Sequence, residues 1–436
     1  MSDILPAQPG RAAGLTRRRL VQAATAATAV TAVGSRPRPA VARTVKLAYW
    51  SPLDPRSGDA RSRGEAAMLD VFRKQHPGIE VDVQPVPWQV MGQQVIQAVM
   101  SGAGPDVAQL STTNLPDQVG AETAAPLNDV LGKGWSDADR ADFLLPWSNT
   151  TYDGKIMAAY WSSLLNNQLW YVDDGLQAPP PQTWSALPGW VRPAMQKTGS
   201  QGFVTGLSQQ GNGFGFAAWL IPALWACGAD YVLPDDRAGF ANPNGARVFE
   251  WLADLVAQKV APGSIVSLTR DNVLDAMKGR KSVSTLLTSN IVGAARDSLG
   301  DSLKLARQPG PNSLCPAFAS GKTLIMTTIC REKEAAGLLI ESMISPEAQL
   351  ANAKIGNEIP VRRSVLSDPW FQTKEGSDIR FSVEYMAQSP HAFRYPQRTD
   401  YLQSRLALAA QQVVGGRPAL AALQQAAEDW ETARKS

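Results

Sequence analysis

A chain of 436 residues, 44% hydrophobic and 19% charged, has enough apolar material for two domains, and 42 Lys+Arg against 39 Asp+Glu leave it a net +3. Six arginines stand against one acid, Asp3, in residues 1–42, so the rest of the chain is about −2 and offers no basic surface for nucleic acid or anionic lipid. Three cysteines without a CxxC spacing and only two histidines, His76 and His391, exclude a cysteine–histidine metal site, and no cofactor is expected.

The first segment in chain order is "TRRRLVQAATAATAVTAV", residues 16–33. Its uncharged run, Leu20 to Val33, is 14 residues long, whereas crossing a bilayer takes about 20 apolar residues. Basic residues, a short mildly apolar stretch and the small-residue exit Ala40-Val41-Ala42 make a secretory leader, with cleavage expected before Arg43. Pro37 and Pro39 forbid a continuing helix. Thr16-Arg17-Arg18-Arg19-Leu20 further resembles the twin-arginine export signal. No cysteine follows the cleavage position, so the expectation is a soluble periplasmic protein without a lipid anchor.

Beyond the leader, "TVKLAYWS" alternates as a strand ending near Trp50, and a Pro/Gly/Ser loop follows. "EAAMLDVFRKQHPG" is helical in spacing and stops at Pro77-Gly78. "IEVDVQPV" is a second strand, "VMGQQVIQAVMSG" a second helix and "PDVAQLS" a third strand. Strands separated by such helices predict an α/β fold with a largely parallel sheet. In "GLQAPPPQTW" three prolines set a rigid turn, after which Thr183 is placed to cap a helix starting at Trp184. The middle of the chain, from "FGFAAWLIPALWACGADYV" to "RDNVLDAMKGRKSV", is helical in pattern, "GKTLIMTTI" returns to strand, and "REKEAAGLLIESMISPEAQLANAKIG" is helical again. Two amphipathic helices, "YLQSRLALAAQQVVGG" and "ALAALQQAAEDWETARK", close the chain. Cys315 and Cys330 flank a strand-like stretch, and either a bridge between them or three buried thiols, Cys227 included, fits an oxidising compartment.

Four stretches together resemble the extracellular solute-binding proteins of ABC importers, the family of the maltose- and other sugar-binding proteins. They are "FRKQHPGIEVDVQPVPWQVMGQQVIQAVMSGAGPDVAQL", "DGKIMAAYWSSLLNNQLWYVDDGLQAPPPQTWSAL", "GKTLIMTTICREKEAAGLLIESMISPEAQLANAKIGNEIPVRRSVL" and "GGRPALAALQQAAEDW". The resemblance implies a two-lobed α/β binding-protein fold with discontinuous lobes and a hinge of crossing segments. One lobe would be 43–159 plus 323–362, the other 160–322 plus 363–436. It also implies a small ligand, a carbohydrate, held between the lobes and delivered to a permease in the inner membrane by a monomer. The chain departs from the family pattern at Ala158-Ala159, at Leu164-Leu165 where aromatics are usual, at "LTSN" where a tryptophan is common, and at "ASGK" where two glycines are frequent. In such proteins these positions lie near the cleft.

Thirteen tryptophans against eleven phenylalanines and eight tyrosines suit a sugar site, because sugar C–H faces pack on flat rings while hydroxyls need polar partners. Trp50 at a strand end, Trp88 in "PVPWQ", Tyr160 and Trp161 at the expected lobe crossing, and Trp219 after a Gly-rich loop are the aromatic candidates. Trp225 reads as core. Asp106, Ser111, Thr112, Asn212, Asn290, Arg394 and Tyr395 are the polar and C-terminal candidates, and one of Arg362-Arg363 is expected to be solvated surface. Two alternatives stand beside a sugar-binding protein: a binding protein for a polyol, amino compound or phosphodiester, and an exported carbohydrate-active enzyme. "GNGFGF" lacks the strand–helix context of a dinucleotide loop, and no cysteine cluster or histidine ligand set supports the enzyme.

Overall fold

The computed structural model describes residues 44–388 and 393–435, apart from the side chains of Gly211 and Asn212. The leader and its cleavage position therefore lie outside the described residues.

Twelve strands are used below: β1 Val45–Ser51, β2 Ile79–Pro85, β3 Val107–Ser111, β4 Ala124–Ala125, β5 Thr151–Tyr152, β6 Lys155–Ile156, β7 Ala159–Leu165, β8 Gln168–Val172, β9 Gln201–Phe203, β10 Ser282–Leu287, β11 Leu303–Arg307 and β12 Ala319–Thr327. They build two main sheets. The larger runs β2-β1-β3-β12-β4 with β7 added on β12, and the smaller runs β11-β8-β10-β9. β2, β1 and β3 are parallel, as the strand–helix alternation of the first hundred residues predicts. β12 returns antiparallel to β3 more than two hundred residues later and receives β7 on its other side.

Each sheet has its own core. Met68, Phe72, Leu324, Leu339, Phe371 and Tyr385 pack on the larger sheet. Trp219, Phe249, Trp251, Leu406 and Trp430 pack with the smaller one. This is the expected two-lobed α/β architecture. Strand pairing puts all of Ala159–Leu165 and Ala319–Thr327 in the first lobe's sheet. The side chains of Ile379 and Tyr385 still belong to that lobe's core, while the helices Thr399–Val414 and Ala419–Lys435 cover the second.

The chain passes between lobes at Asn166-Asn167 and again before Ala319, and the two passages are stitched together. The Asn166 amide donates to Phe318 O at 3.0 Å and Ser320 Oγ at 2.8 Å, and Asn167 accepts from Phe318 N–H at 2.7 Å while donating to Pro316 O at 3.0 Å. Buried polar side chains at a crossing are tolerable only when hydrogen-bonded in this way, and the bonds hold two strands in register across the hinge.

Local chemistry explains the helix that leads to the cleft. Asp59 accepts Ser62 N–H at 3.1 Å to cap the helix Ala60–Gln75, and Arg73 and Lys74 occupy its last turn. That helix crosses Pro346–Gly356 so closely that a Cβ on Gly64 would lie 2.7 Å from Gly356 Cα. Elsewhere two readings need correction. Thr183 starts a 3-10 turn, Trp184–Ala186, without a side-chain cap; its hydroxyl meets Ser185 Oγ at 3.2 Å instead. The three cysteines are free and buried, with Cys315 in the second lobe's core and Cys330 in the first lobe's, so the bridge between them does not form.

Candidate functional site

A cleft of about 450 Å³ lies between the lobes, walled by both. The first lobe supplies the residues at the ends of β3 and β12. Ser111 closes β3 and caps the turn Thr112–Asn114, accepting Thr113 N–H at 3.4 Å and the Thr113 hydroxyl at 2.9 Å. Thr112 Oγ1 donates to the carbonyl of Gly321, tying that turn to β12. Position 321 has no room for a side chain, because a Cβ there would meet the Tyr160 ring at 2.5 Å and Ser162 O at 2.6 Å. Next to it the β7–β12 register shifts: Lys322 faces Ser162 and Thr323 faces Tyr160, leaving Trp161 as the extra residue. A bulge of this kind re-aims neighbouring side chains, and here Lys322 reaches the cleft lining with its ammonium 5.2 Å from the Trp161 ring centre. Trp88, first residue of the helix Trp88–Met100, also reaches the cleft.

The second lobe supplies turns and helix starts. Gly213, in the left-handed conformation at φ 67°, lets the chain turn into the helix Phe214–Ala226, where a Cβ would strike Gln403 O at 2.6 Å. Phe214 lines the cleft there. Thr269 caps the helix Arg270–Lys278 through Asn272 N–H at 3.2 Å, setting Arg270 and Asp271 at its start. Asn290 follows β10, with its Oδ1 accepting the Thr288 hydroxyl at 2.7 Å. The last segment adds Tyr395, Asp400 and Gln403.

Trp88, Ser111, Thr112, Asn290 and Tyr395 are thus brought together from positions singled out in the sequence. The other candidates are placed elsewhere. Trp50 is half-buried on β1 and donates to Gln84 Oε1 at 2.8 Å. Asp106 accepts Ala48 N–H at 2.8 Å, joining the entry of β3 to β1. Tyr160 and Trp161 are buried within β7. Trp219 is fully buried and donates to Thr205 Oγ1 at 3.0 Å. Arg394 stacks on Tyr152 at 4.9 Å, away from the lining. Arg362 lies buried over the Phe143 ring at 4.1 Å while Arg363 is exposed, so one of that pair is solvated surface as expected. Asn212 lies in the turn Gln210–Gly213, and its side chain is outside the described ones. Trp225 is half-buried, edge-on to Phe318 at 5.4 Å, as its core reading requires.

Sequence reasoning missed the cleft's charges. Arg61 and Lys322 line it, and both bind the same buried carboxylate from behind: Arg61 Nε donates to Glu358 Oε1 at 2.9 Å, Lys322 Nζ donates to that oxygen too, and Ser162 Oγ donates to Oε2 at 2.6 Å. Burial alone would raise the Glu358 carboxyl, but the charges of Lys322 and Arg61 hold it well below the ordinary range. Burial pushes the Lys322 ammonium down, and the positive charges of Arg61 and of Arg270 push it further. Several cleft groups have no partner. Arg61 Nη2 is buried and unbonded, and Gln403, 1% exposed, has neither amide atom engaged. Such groups are costly to leave unpaired, and water or a polar ligand entering the cleft would satisfy them. Among the described residues no cluster of metal-ligating side chains is found, and no helix is long and apolar enough to cross a membrane.

The bacterial extracellular solute-binding protein family matches residues 67–377. The chain belongs to this family. A protein of Brucella abortus named as a binding protein is 21% identical over 299 residues, covering 67% of this chain and 71% of the relative. Among solved structures this solute-binding protein is similar to maltose-bound MalE3 of T. maritima, at 20% identity and a TM-score of 0.75, over 89% of this chain and 99% of the other. The GacH receptor of Streptomyces glaucescens, solved unliganded and with acarbose, superposes at a TM-score of 0.73 and 18% identity, over 90% and 99%. The maltose/maltodextrin-binding domain of Bdellovibrio bacteriovorus, bound to maltotriose, gives 0.72 and 17%, over 90% and 100%. At these identities the likeness establishes the fold, two lobes about a cleft.

Proposed function

We propose that this solute-binding protein captures a carbohydrate between its lobes and hands it to an ABC permease in the inner membrane. The observation that carries this reading is the cleft lining: the Trp88, Phe214 and Tyr395 rings stand with the unpartnered Gln403 amide and the hydroxyls of Ser111 and Ser320. Rings for C–H faces and donors for hydroxyls are what a sugar needs, and a cavity of about 450 Å³ has the size of a small-ligand site. The structural relatives that carry maltose, maltotriose and acarbose point the same way. In this reading the protein works as a monomer, binds without turnover, and closes its lobes by the hinge at Asn166-Asn167. The lobe edges expected from the sequence at 159/160 and 322/323 move in this reading to the strand ends, after Leu165 and before Ala319.

The test is a thermal-shift screen of the purified exported protein against sugars, polyols, polyamines and phosphodiesters, followed by calorimetry and product analysis. A sugar should raise the melting temperature by mass action and be recovered unchanged. Stabilisation by a non-sugar class alone, or conversion of the sugar to product, would refute the reading.

The leader is part of the same proposal: twin-arginine export to the periplasm, free of a lipid anchor. Replacing Arg17 and Arg18 by Lys should retain precursor in the cytoplasm, and unchanged export in that variant would remove the twin-arginine route.

A further inference from the structure

Beyond the first cavity the gap between the lobes continues into a second one of about 1180 Å³. Arg61 from the first lobe and Asn290 from the second border both cavities, so the two adjoin there. The second chamber alone exceeds the about 300–1,000 Å³ that houses a drug-sized ligand. Its lining repeats the chemistry of the first. Trp370, in the turn Pro369–Gln372, and Phe381, on the helix Ser377–Met386, are half-buried against the first lobe's core and border the chamber. Asn357 follows the helix Pro346–Gly356 in the left-handed conformation at φ 53°. A Cβ on Gly293 of the second lobe would lie 3.2 Å from Asn357 Nδ2, so this amide stands in the gap between the lobes. It has no hydrogen-bond partner among the described residues, and Asn290, whose Oδ1 is taken by Thr288, keeps its Nδ2 free. Charges that meet across the chamber are paired. Arg296 Nη2 donates to Asp378 Oδ1 at 2.7 Å, and Lys374 pairs with Asp301 at 2.6 Å, each pair linking one lobe to the other.

We propose that the binding site extends past Arg61 and Asn290 into this second chamber, and that its ligand is a neutral oligosaccharide of about three or more units. One end lies in the first chamber, and the later units lie against Trp370 and Phe381 with their hydroxyls on the Asn290 and Asn357 amides. This rests on the carbohydrate reading above and narrows it. A mono- or disaccharide is no larger than a drug-sized ligand, so it would leave the second chamber's rings and amides to water. Half-buried rings gain by covering sugar C–H faces, and free amides exchange water for hydroxyls that both donate and accept. Ion pairs already satisfied across the lobes ask for no charge on the ligand.

The experiment is calorimetric titration of the purified protein with glucose, maltose and maltotetraose, and with the matching cello-, xylo- and galacto-oligosaccharide series. In the series that binds best, the tetrasaccharide should bind about tenfold or more tighter than the disaccharide. Trp370→Ala should remove most of that gain and leave the affinity for the disaccharide unchanged. Ala294→Trp, at an exposed position of the same lining, should do likewise by filling the chamber, and it decides the matter if Trp370→Ala fails to fold. A disaccharide bound as tightly as its tetrasaccharide in every series, or a length preference kept in full by the folded variants, overturns the inference but leaves the carbohydrate reading standing. No sugar bound in any series overturns both.

Discussion

At the residue scale, two tryptophans that look alike in sequence divide by what their backbone does. Trp88 opens a helix at the cleft wall and keeps part of its ring exposed, whereas Trp219 is enclosed by Phe216, Trp251 and the second lobe's core. Trp88→Ala should therefore weaken ligand binding by about 1–3 kcal/mol with little change in stability. Trp219→Ala should cost roughly 3–5 kcal/mol of stability with binding kept in the folded fraction. Calorimetry and denaturant unfolding of both variants check this, and an unchanged affinity in Trp88→Ala removes that ring from the site. A second residue under the cleft is Glu65, fully buried, accepting from Tyr49 OH at 2.8 Å, Ser51 Oγ at 2.8 Å and Gln109 Nε2 at 2.6 Å. Burial raises its carboxyl to about 7, against the lowering pull of those hydroxyls. A carboxyl whose folded value lies above its unfolded value of 4.5 stabilises the fold most when protonated in both states, and that advantage is lost as pH climbs from 4.5 through 7. Glu65→Gln should remove the dependence, so the stability difference between wild type and variant should change by about 2–3 kcal/mol between roughly pH 5 and pH 8, in favour of the variant at high pH. Parallel stability–pH curves would show that Glu65 does not titrate there.

At the element scale, the site depends on one helix crossing. The helix Ala60–Gln75 carries Arg61, and the helix Pro346–Gly356 leads directly into Glu358. They meet at Gly64, where an added methyl would lie 2.3 Å from Asn352 Oδ1 and 2.7 Å from Gly356 Cα. Gly64→Ala must push the helices apart, at a cost of about 1–3 kcal/mol, and should loosen the Arg61–Glu358 pair with them. Denaturant unfolding and ligand affinity should both decline, and a variant as stable as wild type would show that the crossing is not tight. These helices, like the parallel strands beside them, were legible in apolar spacing, a Pro-Gly stop and strand alternation, which are local signals, although the first turn of Ala60–Gln75, with Arg61, falls in the stretch that reads as loop. The smaller sheet was not, because β8 and β11 are antiparallel partners separated by more than a hundred residues, and no local pattern announces that pairing. Candidate residues failed for the same reason. Tyr160 and Trp161 read as crossing residues, yet β7 continues to Leu165 and buries both. Gln403 gave no signal at all, since which face of the helix Thr399–Val414 meets the cleft is set by tertiary packing.

At the scale of the whole molecule, Leu164, Asn290, Gly321 and Lys322, in stretches that depart from the pattern the sequence resembles, fall on the cleft lining together with Trp88, in a stretch that keeps it. The fold also shows how the lobes are tied apart from their crossing strands. Asn114 Nδ2 donates to Asp400 Oδ2 at 3.2 Å, the Arg398 N–H donates to Asp117 Oδ1 at 2.8 Å, and Arg394 stacks on Tyr152. All three join first-lobe residues to the segment that enters the second lobe's helix Thr399–Val414, so they are expected to favour the arrangement seen here over one with the lobes parted. Arg398 itself is held in the left-handed conformation at φ 56°, which its bond to Asp117 helps to maintain. Asp117→Ala leaves that N–H without its acceptor and shifts the balance toward an open molecule. A ligand that requires closure must then supply the difference, which for one lost charge-assisted bond is about 1–1.5 kcal/mol, or roughly a tenfold weaker apparent affinity. Small-angle scattering should show a larger radius of gyration in the unliganded variant than in wild type, and the same radius once both are saturated. Equal radii without ligand, together with equal affinities, would mean that these contacts do not govern closure and that the hinge at Asn166-Asn167 sets it alone.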